Sequence, residues 1–233
     1  MLSILIAVYN EQECLADVIT ELFTVLAGMD MASEVVAIND GSTDGSLDIL
    51  NGLKGQYPTL RVLSLNPHSG QSAAFGVGFR RAKGDVLITI DADGQNDPAD
   101  IPTLMGHMQA CDACCGYRAD RQDTFSRRLG GKLANGVRNA LLGEDIIDTG
   151  CSLKAFKADF VRDVTMWDGM HRFLLSFVKM KGGVIKQIPV NHRRRQAGTS
   201  KYTNLGRLKT IVSDLRAVRW MQSRHRPFDV EES

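Results

Sequence analysis

Four times in the first hundred residues, a short apolar run gives way to a segment with helical spacing. Residues 2–8 are almost wholly apolar. Leu15, Val18, Ile19, Leu22, Val25 and Leu26 then recur at three- and four-residue intervals. Residues 35–38, 60–65 and 86–90 open three further units of the same kind. Helices are expected from a Ser42 or Thr43 cap to about residue 53, over residues 69–82, and from Asp97-Pro98, which reads as N-cap and first helical position. Strands apolar on both faces and separated by helices must be covered on both sides. The expected architecture is therefore α/β, a single mostly parallel sheet flanked by helices.

The second half is less regular. Strands are expected near residues 112–116, 152–156 and 184–190, and helices over 125–142, 158–165, 170–181 and 203–222. The 233 residues suit one good-sized domain. With 43% hydrophobic and 24% charged residues the composition is that of a globular protein. No run of about 18 apolar residues encodes a membrane span, and the N-terminus lacks the basic start of a secretory signal. The cysteines, Cys14, Cys111, Cys114, Cys115 and Cys151, are odd in number and irregularly spaced. That pattern points to a reducing compartment rather than a disulfide framework. Cys111-x-x-Cys114-Cys115 has no second half to complete a zinc site and reads as buried strand.

Charge is unevenly spread. Residues 1–192 hold 18 Lys or Arg against 23 Asp or Glu, whereas residues 193–226 hold ten Lys or Arg against Asp214 alone. Such a basic block suits phosphate ligands or an anionic membrane surface. We divide the chain into a domain over residues 1–202 and a basic amphipathic C-terminal helix and tail over 203–233. On that helix Leu205, Leu208, Ile211, Val212, Leu215, Val218 and Met221 share a face, which could meet a bilayer, a membrane-spanning partner subunit or the body of the protein.

Polar motifs fall where strands end: Tyr9-Asn10-Glu11, Asn39-Asp40-Gly41-Ser42, and Asp91-Ala92-Asp93. In open α/β sheets that edge holds the ligand crevice. Asp91 and Asp93 are hard oxygen ligands, two apart at a strand terminus, suited to Mg²⁺ or Mn²⁺, and such a cation can bridge a diphosphate. No GxxxxGK[ST] loop is present, and Gly76-x-Gly78 lacks a third glycine. Phosphates would therefore be held by the metal and by Arg or Lys.

Val8-Tyr9-Asn10-Glu11, Asn39 to Gly45, Gly70 to Phe75, Asp91 to Pro98, Asp148-Thr149-Gly150-Cys151 and Gly198 to Tyr202 occur in this order. Together they resemble a family 2 glycosyltransferase, and more narrowly the dolichol-phosphate mannose synthase and polyprenyl-phosphate glycosyltransferase branch. The resemblance covers roughly residues 2–220. It implies a GT-A fold and inverting transfer from a GDP- or UDP-sugar to a polyprenyl phosphate. Ala7, Tyr9, Glu11, Asp40 and Gly70 match the nucleotide-sugar site, and Asp91, Asp93 and Gln95 the metal and diphosphate site. Arg195, Ser200 and Lys201 match a loop over the donor phosphates. Arg118, Arg127 and Arg128 match arginines that receive the acceptor phosphate. Asp93, Asp148 and Arg118 are the candidate catalytic set. The family often has Pro where Ala7 stands, and usually two acids where this chain has Asn39-Asp40.

A sugar-hydroxyl acceptor would need a base; a phosphate monoester, with its second pKa of about 6, needs cationic steering instead. Asp148 is accordingly expected to orient substrate. A same-fold enzyme acting on a hydroxyl, or a non-catalytic nucleotide-binding subunit, are the rival readings. The implied location is the cytoplasmic face of a membrane, with peripheral attachment and possible homo-oligomers. No nucleic-acid partner is expected. Each acid also has a plain alternative: Asp40 and Asp148 as local caps, Arg127 and Arg128 as solvated helix residues, and His68 and Gly70 as an ordinary turn. Trp167 and Trp220 read as packing residues.

Overall fold

The structure is a computed structural model that describes residues 1–119, 125–194 and 204–226, with side chains described except over 125–133 and 204–210. β1 (Leu2–Val8), α1 (Leu15–Ala27), β2 (Ser33–Asp40), α2 (Ser46–Leu53), β3 (Leu60–Leu65), α3 (Gln71–Arg81) and β4 (Val86–Asp91) follow the expected alternation. A 3₁₀ turn over Pro98–Asp100 leads into α4 (Ile101–His107), with the Asp97 carboxylate accepting from the Ala99 amide at 3.0 Å. Then come β5 (Ala113–Arg118), α5 (Phe125–Leu142), β6 (Lys154–Lys157), α6 (Ala158–Val161), a second 3₁₀ turn (Met170–Phe173), α7 (Leu174–Met180), β7 (Ile185–Val190) and α8 (Asn204–Arg224).

Among the described residues the strands form one sheet in the order β3-β2-β1-β4-β6-β5-β7. Four of the neighbour pairings are parallel; β6 lies antiparallel between β4 and β5. The short β6 is what makes the sheet mixed. β1 sits between β2 and β4, and the chain winds outward from it in both directions. That reversal opens a crevice beyond the ends of β1 and β4, where Ala7 pairs with Asp91.

Successive side chains of a strand point to opposite faces, and the core divides accordingly. Ile4, Ile6 and Val8 pack against Leu15, Ile19 and Leu22 of α1 and Leu104 of α4. Leu5, Val36 and Leu87 pack instead against Phe75 and Phe79 of α3 and Leu174 of α7. α8 does not stand apart. Leu215 and Val218 are buried against Leu142, Met170, Phe173 and Phe177, so this half of the helix packs on the body. Trp220, expected to pack, is 63% exposed beside Val212; Trp167 does pack, edge-on to Phe177. The expected Ser42 or Thr43 cap is also corrected. α2 starts at Ser46 after Gly45, and Asp44 accepts from the Ser46 amide at 3.0 Å. Ser42 and Thr43 are engaged elsewhere, as described next.

Candidate active site

Two polar motifs that are 30 residues apart in sequence interlock at the β1 and β2 ends. Asn10 has φ 53°, a left-handed conformation that asparagine tolerates better than most residues. It is fixed there by three bonds: Asn10 N donates to Ser42 Oγ (3.0 Å), Thr43 N to Asn10 Oδ1 (2.7 Å), and Asn10 Nδ2 to Thr43 Oγ1 (3.1 Å). Glu11 N donates to Ser46 Oγ at 2.9 Å.

Asp40, 2% exposed, ends β2. Its carboxylate does not cap α2. Instead it accepts from the Ser69 and Gly70 amides, both at 2.8 Å, and meets His68 Nδ1 at 2.9 Å. Gly70 has φ 90°, open to glycine but strained for other residues. His68 in turn stacks on Tyr9 with centroids 3.8 Å apart and planes 15° from parallel. Asp40 thus holds the β3–α3 loop against β1.

Gln71, the first residue of α3, then donates Nε2 to Asp91 Oδ1 at 2.7 Å. Tyr9, Glu11, Asp40, His68, Gln71, Asp91 and Asp93 line one cavity of about 260 Å³. A second cavity, about 430 Å³, shares Gln71 and Asp91 with the first. Its other walls include Asn135, Thr149, Ser152, Lys154, His171 and Arg172. Ser72 Oγ lies 2.7 Å from His171 Nδ1 and ties α3 to the turn before α7.

Burial, and next the charge of Asp93, push the Asp91 carboxyl up to about 6. Two acids that resist joint ionisation are what a divalent cation relieves. Among the described residues no third His, Cys, Asp or Glu joins them. The remaining ligands would be diphosphate oxygens and water, the habit of Mg²⁺, which takes one or two carboxylates plus substrate phosphate. The residues therefore fit such an ion. Gln95, expected at the metal and diphosphate site, bonds to Arg193. Its amide reaches the Arg193 carbonyl at 3.5 Å, its own carbonyl accepts from Arg193 N at 2.8 Å, and it lines neither cavity.

Arg118 and Asp148, expected near the acceptor, bind each other. Arg118 Nε and Nη2 reach Asp148 Oδ2 and Oδ1 at 2.7 and 2.9 Å, a bidentate fork, and the Gly150 amide adds a bond at 3.1 Å. Neither lines the two cavities; Thr149 and Gly150, beside Asp148, do. Arg127 and Arg128 fall within α5, but their side chains lie outside the described set, as do residues Arg195, Ser200 and Lys201 altogether. Arg193, just before that stretch, is anchored by Glu21 (2.7 and 2.8 Å) and Asp97 (2.7 Å).

Sequence reasoning overlooked Gln71 and Lys154 as site residues. For Lys154 the signal was available: a charge within an apolar strand.

A sheet of this order with its acids beyond β1, β2 and β4 defines the GT-A glycosyltransferase fold. The solved glucosyl-3-phosphoglycerate synthase of Mycobacterium tuberculosis, in complex with Mn²⁺, uridine diphosphate and glucosyl-3-phosphoglycerate, superposes with a TM-score of 0.71. It is 17% identical and is matched over 98% of this chain and 81% of that one. The sequence model for glycosyl transferase family 2 matches residues 3–165, and the chain belongs to that family. The undecaprenyl-phosphate 4-deoxy-4-formamido-L-arabinose transferase of Edwardsiella ictaluri is 35% identical over 216 residues, 91% of this chain and 66% of that protein. The dodecaprenyl-phosphate galacturonate synthase of Rhizobium johnstonii is 30% identical over 233 residues, 97% and 69% respectively. The chain spans about two thirds of the length of these relatives.

Proposed function

We propose that this protein transfers a sugar from a nucleotide-sugar to a polyprenyl phosphate, with inversion at the anomeric carbon. The observation that carries the reading is the pair of cavities meeting at Asp91 and Gln71. The first, with Tyr9, Asp40 and His68, suits a nucleotide, and its acids suit a metal-bound diphosphate. The second suits an acceptor arriving from the other side of the same carboxylate. The names of the relatives from Edwardsiella and Rhizobium support a polyprenyl-phosphate acceptor. The uridine diphosphate and Mn²⁺ of the mycobacterial structure suit the first cavity.

When bound, Mg²⁺ or Mn²⁺ would be held by Asp91 and Asp93 and would stabilise the negative charge of the leaving diphosphate. The protein's own residues do the rest. Tyr9 and His68 offer an aromatic surface for the base, and Gln71 orients Asp91. An acceptor phosphate oxygen forms the new bond to the anomeric carbon as the bond to the diphosphate oxygen breaks. That electron pair leaves with the nucleoside diphosphate. A dianionic phosphate carries no proton to be removed. The fork from Arg118 to both Asp148 oxygens fits this acceptor better than a hydroxyl, because a general base needs a free oxygen. Asp148 then positions the Thr149–Gly150 wall. Arg127, Arg128, Arg195 and Lys201 would supply positive charge to the phosphates, while the Arg118 guanidinium is committed to Asp148.

We further propose that residues 1–202 form the catalytic domain and 203–233 an extension at the membrane surface. The test is purified protein with Mg²⁺ or Mn²⁺, a panel of UDP- and GDP-sugars, and farnesyl phosphate. Glycosylated farnesyl phosphate of inverted anomeric configuration, formed one-to-one with nucleoside diphosphate, is expected. Transfer only to hydroxyl acceptors would overturn the reading. Asp148→Ala should keep measurable turnover with the phosphate acceptor; complete loss at an unchanged fold would restore a base role.

A further inference from the structure

β6 runs antiparallel to β4 and pairs Lys154 with Thr89. Alternation along the strands puts Lys154 on the same face as Thr89 and Asp91, the face that packs Phe156 against Leu87. Lys154 is 4% exposed and is the only buried lysine among the described residues. Its ammonium donates one hydrogen bond, to the Thr149 carbonyl at 3.3 Å. No carboxylate oxygen of the described residues lies within 4.0 Å of it; Asp148 and Asp91 act on it only at longer range.

An ammonium has three donors, and a buried cation without a counter-charge is unfavourable. Lys154 lines the second cavity together with Asn135, Thr149, Ser152, His171 and Arg172, which offer further donors. Water could take its free protons but could not neutralise its charge. A phosphate oxygen does both. The cavity also touches Asp91 and Gln71, so an anion there would face the donor diphosphate across that wall.

The geometry points to Lys154 as the residue that grips the phosphate of the acceptor in the second cavity, an assignment that rests on the polyprenyl-phosphate reading. Burial pulls the pKa of Lys154 down; with a phosphate bound beside it, Lys154 is held in its charged form. It binds and aligns the attacking oxygen and passes no proton to it.

The experiment uses the full chain with Lys154→Met and Lys154→Arg. Inorganic phosphate and UDP or GDP with Mn²⁺ serve as separate probes in thermal shift, and farnesyl phosphate is the acceptor in kinetics. Lys154→Met should lose the phosphate response but keep the nucleotide response. Its acceptor KM should rise about ten- to a hundredfold, the loss expected for a charged hydrogen bond, with donor KM within about twofold. Lys154→Arg should recover most of both. Equal phosphate responses in wild type and Lys154→Met overturn the assignment. So does loss of nucleotide and phosphate responses together with no recovery in Lys154→Arg, which marks a structural role. If the wild type glycosylates farnesyl phosphate with an acceptor KM indifferent to Lys154→Met, the functional reading stands and Lys154 falls. If the phosphate response depends on Lys154 but sugar passes only to hydroxyls, the anion site stands and the polyprenyl-phosphate reading falls.

Discussion

At Asp91 a carboxylate is held against Asp93 and away from bulk water, and both effects favour its proton. The folded protein therefore takes up a proton here more readily than the unfolded chain. Between the ordinary value of 3.8 and about 6, ionisation of Asp91 works against folding, and the penalty is complete above that window. A divalent cation competes with that proton. Mn²⁺ should accordingly raise the melting temperature more at about pH 7.5 than at about pH 5, and Asp91→Asn should abolish the rise while leaving the metal-free protein no less stable; differential scanning calorimetry reads both. Asp40 binds through both oxygens, to the Ser69 and Gly70 amides and to His68. Asp40→Asn replaces one acceptor by a donor facing the loop amides. It should destabilise by roughly 2 kcal/mol or more and weaken nucleotide binding, seen by chemical denaturation and calorimetric titration. Asp91 and Asp93 were legible in sequence because two acids end an apolar run. The use made of Asp40 was not, since its partners, Ser69 and Gly70, stand 29 and 30 residues away.

Among the elements, α5, the loop after it and α7 are joined by a buried polar cluster. Arg138, 5% exposed, donates to Ser176 Oγ at 2.7 Å, lies 2.7 Å from Glu144 Oε2, and stands over the Phe173 ring at 5.5 Å. Removing one partner leaves a buried charge alone. Glu144→Ala should cost about 3–5 kcal/mol, whereas Arg138→Met with Glu144→Leu should come close to neutral; denaturation midpoints distinguish them. Because α5 contributes Asn135 to the second cavity, loosening it should also raise acceptor KM. The helical periods of α1 and α3 were readable, since each buries one face on the sheet over several turns. β6 was harder: with residues Lys154–Lys157 it is too short for a periodic signal, and its reversed direction comes from pairing with β4 and β5.

For the whole molecule, α8 has two sides. Leu215 and Val218 are buried against the α7 region, while Trp220 and Val212 remain exposed near Arg216 and Arg219. No helix of the described residues is long and apolar enough to cross a membrane. Val218→Asp places a charge in that contact and should lower stability by about 3 kcal/mol, or roughly 6–12 °C in melting temperature for a chain of this size. The exposed side is the one we propose for the membrane surface. Flotation with anionic vesicles should show binding that weakens with salt and with Arg216→Ala and Arg219→Ala together. Binding indifferent to salt and to these changes would count against it.

The alternation of strands and helices, the placing of polar motifs at strand ends and the membership in a glycosyltransferase family follow from residues close together in the chain. Periods of two and 3.6, and short motifs, are local properties. The order β3-β2-β1-β4-β6-β5-β7 is not. It arises from pairing between strands far apart, and it brings Lys154 beside Thr89, locks Asn10 to Ser42 and Thr43, and closes Arg118 on Asp148. Those contacts depend on burial and long-range hydrogen bonding, which the linear pattern carries no record of, and they set a list of candidate acids and cations around two adjoining cavities.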